Sequence, residues 1–297
     1  MASNRYSLKD TVLAPLICGV LYAVGEFLPR GLRSQDFYWQ SPFMFTALAG
    51  LLIAFACRPV LSRLQWMRRT AFGMGLLIVL SLGQAGDIAS ARIASLLGAA
   101  PYPLSLPYAL LPTLGAALFI SVGMTLLYCP KGGRVGPFAL WGSVTAHDPQ
   151  RLMLRLAVVS AFYVVIQLGV GWLDLKMVWS WGVYETGIIQ PNAWAQFTAP
   201  THAAGPPIFF MLLWLRGFVR LLPLMLIGVT LRGQPMQIAL VFGMLWFVLG
   251  SFVPLVVDQP YPSPVWLIGV VAWDVAEAGV MAMITARAIR PFYHAPF

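Results

Sequence analysis

Hydrophobic residues in this chain run on without interruption for about 20 positions at a time. That continuity limits the fold more than any single motif does. In a hydrocarbon environment every backbone N–H and C=O needs a partner within the protein, so a spanning chain forms helices or closed barrels. Barrel strands would alternate apolar and polar residues over segments of about ten. The runs here do not alternate, so helices are expected. The composition agrees: 59% of the 297 residues are hydrophobic and only 10% are charged, where soluble domains carry about 25% charge. A soluble fold this apolar would expose large patches and aggregate.

The expected fold class is therefore all-α, a polytopic transmembrane bundle in a single domain over 1–297. About eight spanning helices are placed near 11–29, 42–57, 70–87, 107–128, 154–173, 207–230, 235–257 and 265–287. The second segment is short for a bilayer and is expected to begin earlier or to tilt. Met1 to Asp10 is short and polar, and no A-x-A-like cleavage site follows it, so a retained first helix is expected rather than a signal peptide. A four-plus-four duplication would suit eight helices, but the two halves do not match residue by residue.

The basic residues fix an expected topology. With the N-terminus inside, the inner segments hold Arg5, Lys9, Arg58, Arg63, Arg68, Arg69, Lys131, Arg134, Arg151, Arg155, Arg232, Arg287 and Arg290. The outer segments hold Arg30, Arg33, Arg92 and Lys176, while Arg216 and Arg220 fall within a helix. Such a bias places both termini in the cytoplasm and suits a bacterial inner membrane. It also accounts for the net charge of +9: the basic residues meet membrane lipids, and no basic stripe of the kind that binds nucleic acid is present. Tyr38, Trp39, Trp172 and Trp179 lie near expected interfaces, as aromatic belts do. The outer loop 174–206 carries Trp179, Trp181, Tyr184, Trp194 and Phe197, too aromatic for a solvated linker, and is expected to lie in the interface or over the bundle.

Charge at membrane depth is the most informative feature. Arg216 and Arg220 are four apart, and Asp274 and Glu277 three apart, so each pair shares one helix face. Arg216 follows Pro206, and Asp274 follows Pro264, by ten residues each. At about 1.5 Å per residue both lie roughly 15 Å deep, near the midplane of a ~30 Å core. An unpaired charge there costs at least about 2.5–3.5 kcal/mol on insertion scales. The sixth and eighth helices are therefore expected to be neighbours, pairing Arg216 with Asp274 and Arg220 with Glu277. The cluster would serve either as an ion-pair lock fixing helix register or as a polar path.

Other polar residues carry weaker signals. Glu26, four residues before Arg30, is expected to snorkel to water from the outer end of the first helix. Asp87 reads as a helix-end residue, and Glu185 and His202 belong to the outer loop; with Glu26 they are accessory candidates. Ala278, Ala282 and Ala286 form a small-residue ridge suited to helix packing. Pro223, just past Arg220, is expected to loosen a backbone hydrogen bond. The run from Cys129 to Gly136 is basic and glycine-rich but lacks the phosphate-loop pattern. No HExxH, Cys/His cluster or GxSxG occurs, so no metal, no cofactor and no catalytic residue is expected.

The reading these features favour is a small membrane transport protein whose charge cluster forms or gates a polar path for an anionic or protonatable solute. A non-catalytic subunit, assembled with other membrane proteins or with further copies of itself, is the alternative. An intramembrane enzyme acting on a lipid-linked substrate is a further one, without a nucleophile or metal constellation to support it.

Overall fold

The computed structural model describes residues 8–31, 40–63, 66–83, 106–129, 133, 135–137, 142, 149–173, 206–231, 234–257 and 264–289. Among these residues the architecture is almost entirely helical. The helices are α1 (Leu8–Gly31), α2 (Gln40–Arg63), α3 (Arg68–Leu82), α4 (Leu106–Tyr128), α5 (Pro149–Leu173), α6 (Pro206–Thr230), α7 and α8 (Pro264–Ile289). α7 is continuous but has three parts: an α-helical stretch Pro235–Phe247, a π-helical turn Val248–Phe252 and a last α-helical turn Val253–Val257. The chain is an integral membrane helix bundle: seven of these helices are long and apolar enough to cross a membrane.

The exception is α3. Its 15 residues span about 22 Å, less than the ~30 Å hydrocarbon core. Its Gly83 N–H bonds the Val79 carbonyl at the helix end. Two other helices run past their expected limits. α2 continues to Arg63 through Pro59, and α5 begins at Pro149. Proline suits that first-turn position because its missing N–H would find no helical partner there.

The packing order contains a repeat that the sequence did not display. In the first four helices α1 packs against α2 and α4, α2 against α4, and α3 against α4. In the last four α5 packs against α6 and α8, α6 against α8, and α7 against α8. The halves join where α2 meets α7 and α3 meets α6. Exchanging α1–α4 for α5–α8 maps each of these pairs onto another, as a pseudo-two-fold relation requires.

Individual residues follow the same relation. On α1 the Tyr22 ring lies against Gly50 of α2, so close that a Cβ on Gly50 would collide with it. On α5 the Tyr163 ring lies against Gly217 of α6, where a Cβ would stand 2.5 Å from the ring. The buried positions Ala71, Met74, Gly75, Ile78 and Leu82 of α3 recur with the same spacing as Phe242, Leu245, Trp246, Leu249 and Val253 of α7. The shared information thus amounts to small-against-large packing at a few points, too sparse to be seen in an alignment of two apolar sequences.

A short tie fastens the start of α3 to the segment after α4. The Met67 N–H and the Thr70 hydroxyl both donate to the Val135 carbonyl, at 2.9 and 3.1 Å. The Cys129 thiol donates to the Trp66 carbonyl at 3.2 Å. At the corresponding end of the second half, Arg155 of α5 donates to the Ala288 carbonyl of α8 at 2.8 Å.

Candidate functional site

α6 places Arg220 ten residues from each end of its apolar span Phe210–Thr230, and α8 places Glu277 ten residues into its span Leu267–Ile289. Both are about 15 Å from the span's edge, at matching depth. Neither faces lipid: Arg220 is 3% and Glu277 5% exposed. α6 and α8 pack against one another. The Glu277 carboxylate lies in the field of Arg220 first and of Arg216 second. Arg216, one turn before Arg220, and Asp274, one turn before Glu277, are half-buried.

The surroundings of Arg220 come from three other elements. Its Nη1 donates to the Tyr163 hydroxyl of α5 at 3.5 Å, the outer limit of a hydrogen bond. Its guanidinium stands 5.8 Å from the centre of the Trp246 ring of α7, within reach of the ring's negative face. Tyr163 and Trp246 meet edge to face at 5.6 Å, which holds both rings. Trp246 links the charges, because its Nε1–H donates to Glu277 Oε1 at 3.3 Å. At Gly250 of α7 a Cβ would lie 3.5 Å from Arg220 Nη1, so the missing side chain leaves the guanidinium room.

The π-helical turn in α7 has a local cause. Pro254 has no N–H to offer the Gly250 carbonyl, and its ring crowds that carbonyl. The helix widens instead, and the Val253 N–H bonds the Val248 carbonyl, five residues back. Such turns recur at functional sites because they re-aim backbone groups. Here the turn contains Gly250, which has no side chain to intrude on the guanidinium.

Several sequence expectations meet particular outcomes. Glu26 does not snorkel; it is 6% exposed, packed within the bundle. Its backbone neighbourhood explains this: at Gly25 α1 approaches α4 closely enough that a Cβ would strike the Gly115 carbonyl, which seals that face. Ala278, Ala282 and Ala286 are all buried, and a Cβ on Gly243 of α7 would lie 3.4 Å from Ala282. The ridge therefore serves packing inside the bundle. Asp87, Glu185 and His202 lie outside the described residues, as does the outer aromatic loop up to residue 205. Cys18, Cys57 and Cys129 are free thiols and buried. Among the described residues no group of three His, Cys, Asp or Glu could hold a metal ion.

Sequence reasoning missed Tyr163, Trp246 and Gly250. A signal existed for two of them. Trp246 is eleven residues past Pro235, the same depth rule that singled out the arginines, and Gly250 stands four before Pro254. Tyr163 reaches Arg220 only through the arrangement of helices. Comparison of the chain with known protein families, curated proteins and solved structures finds no match.

Proposed function

We propose that this protein is a small polytopic transporter of the inner membrane, with both termini cytoplasmic, in which Arg220 binds an anionic or protonatable solute near the midplane. The observation that carries the reading is the make-up of the Arg220 surroundings. A lock needs only a carboxylate against a guanidinium. Here the Glu277 carboxylate, a tyrosine hydroxyl at 3.5 Å and an aromatic face surround one guanidinium. Arg presents five N–H groups in a fixed fork suited to carboxylate or phosphate, so a solute's oxygens can compete with these groups for it. Glu277 then acts as the competing anion, released or protonated as the solute arrives. Asp274 and Arg216, one turn away, extend the polar face.

The test is flux in proteoliposomes, with radiolabelled small carboxylates and inorganic phosphate on one side and a pH-sensitive dye reporting proton movement. Asp274→Asn and Glu277→Gln should abolish flux while the protein remains monodisperse and helical. Unchanged flux in both variants would discard the mechanism.

One observation favours the subunit reading as well. A groove of about 370 Å³ runs between α7 and α8, walled by Met236, Met244 and Met283 and floored by Ala239, Gly243 and Gly279. A small-residue floor admits the close approach of a helix from another subunit. Native mass spectrometry after gentle extraction separates the two: fixed-ratio partner subunits favour assembly, and a chain that travels alone favours transport.

A further inference from the structure

We infer that the first half of the bundle holds bound water along one face of α4, reaching from the Trp66 end toward the membrane interior. Four buried polar groups carry this. Ser121, Thr125 and Tyr128 follow one another at i, i+4 and i+7 on a single face of α4. They are 0%, 6% and 8% exposed, and Trp66, beyond the end of that face, is 1% exposed. The Ser121 Oγ, Thr125 Oγ1, Tyr128 hydroxyl and Trp66 Nε1 find no hydrogen-bond partner among the described residues.

Other hydroxyls in the same chain show what is unusual. Ser160 donates to the Leu156 carbonyl, Thr230 to Leu226 and Thr285 to Met281, each four residues back on its own helix. That return bond is the ordinary resting place of a serine or threonine within a helix. Ser121 and Thr125 decline it. At this depth, a hydroxyl without a partner costs on the order of 1–3 kcal/mol by mutational data, and four such groups would be a heavy load on one helix pair. Water with two to four polar neighbours removes that cost.

The space for it is set by Gly75. A Cβ at this position would lie 3.5 Å from Ser121 Oγ and 3.6 Å from the Met124 methyl, ordinary contact distances, so the missing side chain leaves a gap about one methyl group wide beside the hydroxyl. In the pseudo-two-fold relation Gly75 takes the place of Trp246, the residue that bridges Arg220 and Glu277 in the second half. Where the second half fills this level with an indole and charges, the first half keeps a glycine and hydroxyls. From Ser121 to Tyr128 the face covers seven residues, about 10 Å, and Trp66 extends it to the tie with residue 135. This inference stands apart from the transport reading, since a hydrated cleft serves a subunit equally.

Radiolytic footprinting in water enriched in oxygen-18, on the full chain in nanodiscs, tests it. Hydroxyl radicals formed from bound water label side chains at their point of origin. Met124 is 0% exposed and Met225 of α6 is 3% exposed, so bulk access does not separate them. If bound water borders Met124, its oxygen-18 uptake should clearly exceed that of Met225, because only a site with resident water generates radicals beside the side chain. Gly75→Leu, which fills the gap, should bring Met124 down to the Met225 rate. Should that variant fail to fold, Ser121→Ala with Thr125→Val removes two of the water's partners and should do the same. Equal slow labelling of Met124 and Met225 in the unaltered chain overturns the inference. So does a Ser121→Ala/Thr125→Val protein that melts higher with the Met124 rate unchanged, because the hydroxyls were then simply dry.

Discussion

Replacing Glu277 by glutamine is the most direct probe of the midplane site. The change keeps shape and removes one negative charge from a position that is 5% exposed, leaving a guanidinium 3% exposed beside it. Removing one partner of a buried ion pair costs about 3–5 kcal/mol, because the other charge stays desolvated. Trp246 Nε1 keeps an acceptor but exchanges a charged one for a neutral one, a loss of about 1 kcal/mol contained within that figure. Other groups soften the loss. The Trp246 ring at 5.8 Å offers a desolvated cation about 2 kcal/mol at most, and the Tyr163 hydroxyl lies at 3.5 Å from Nη1. The lower end, about 3 kcal/mol, is therefore expected. With about 2–4 °C per kcal/mol for large domains, the melting temperature in detergent should fall by roughly 6 °C or somewhat more. The companion variant is Arg220→Met with Glu277→Met. Exchange of a whole buried pair for apolar residues is neutral or stabilising by about 1–4 kcal/mol, so this protein should melt no lower than the unaltered one and yet carry no flux. Thermal unfolding followed by circular dichroism, with flux measured on the same preparations, checks both. A Glu277→Gln protein within about 0.5 kcal/mol of the parent, the range of an ordinary surface change, would refute the idea that this carboxylate compensates Arg220. A double variant with full flux would leave the pair a lock and nothing more.

Three further outcomes are expected. Pro254→Ala restores a donor for the Gly250 carbonyl, so the π-helical turn Val248–Phe252 should tighten; amide exchange there should slow while flux falls, and unchanged exchange would mean that proline does not cause the turn. Gly217→Ala places a methyl 2.5 Å from the Tyr163 ring and should cost about 1–3 kcal/mol by overpacking, with Gly50→Ala behaving alike; Gly279→Ala, with nothing within 4 Å, should melt within roughly a degree of the parent. Cys129 lies just past the α4 span, and burial raises its thiol above the usual range, with Arg68 opposing but not reversing this. Less thiolate is then present at neutral pH, so alkylation by iodoacetamide should be slow at pH 7.5 and climb at a higher pH than for a free cysteine. Rapid labelling at pH 7.5 would show that the tie to Trp66 opens.

The one-dimensional pattern alone determined that this chain is a helical membrane bundle, roughly where most of its helices fall, and that Arg216 lies level with Asp274 and Arg220 with Glu277. Those properties depend on the length of apolar runs and on rise per residue, both of which are local. Which helices touch was decided by the tertiary structure. In water an amphipathic stripe marks the face that will be buried, but helices such as α4 and α5 are apolar all round, and lipid rewards no face over another. Contact is instead chosen by shape at single points: Tyr22 on Gly50, Tyr163 on Gly217, Gly25 on Gly115. Glu26 shows the consequence, since its position near a helix end suggested water and the closeness of α1 and α4 buried it. The surroundings of Arg220 are the larger case. The level of Glu277 follows from depth, but the hydroxyl and the ring beside the guanidinium come from α5 and α7, and no spacing along the chain links Tyr163 and Trp246.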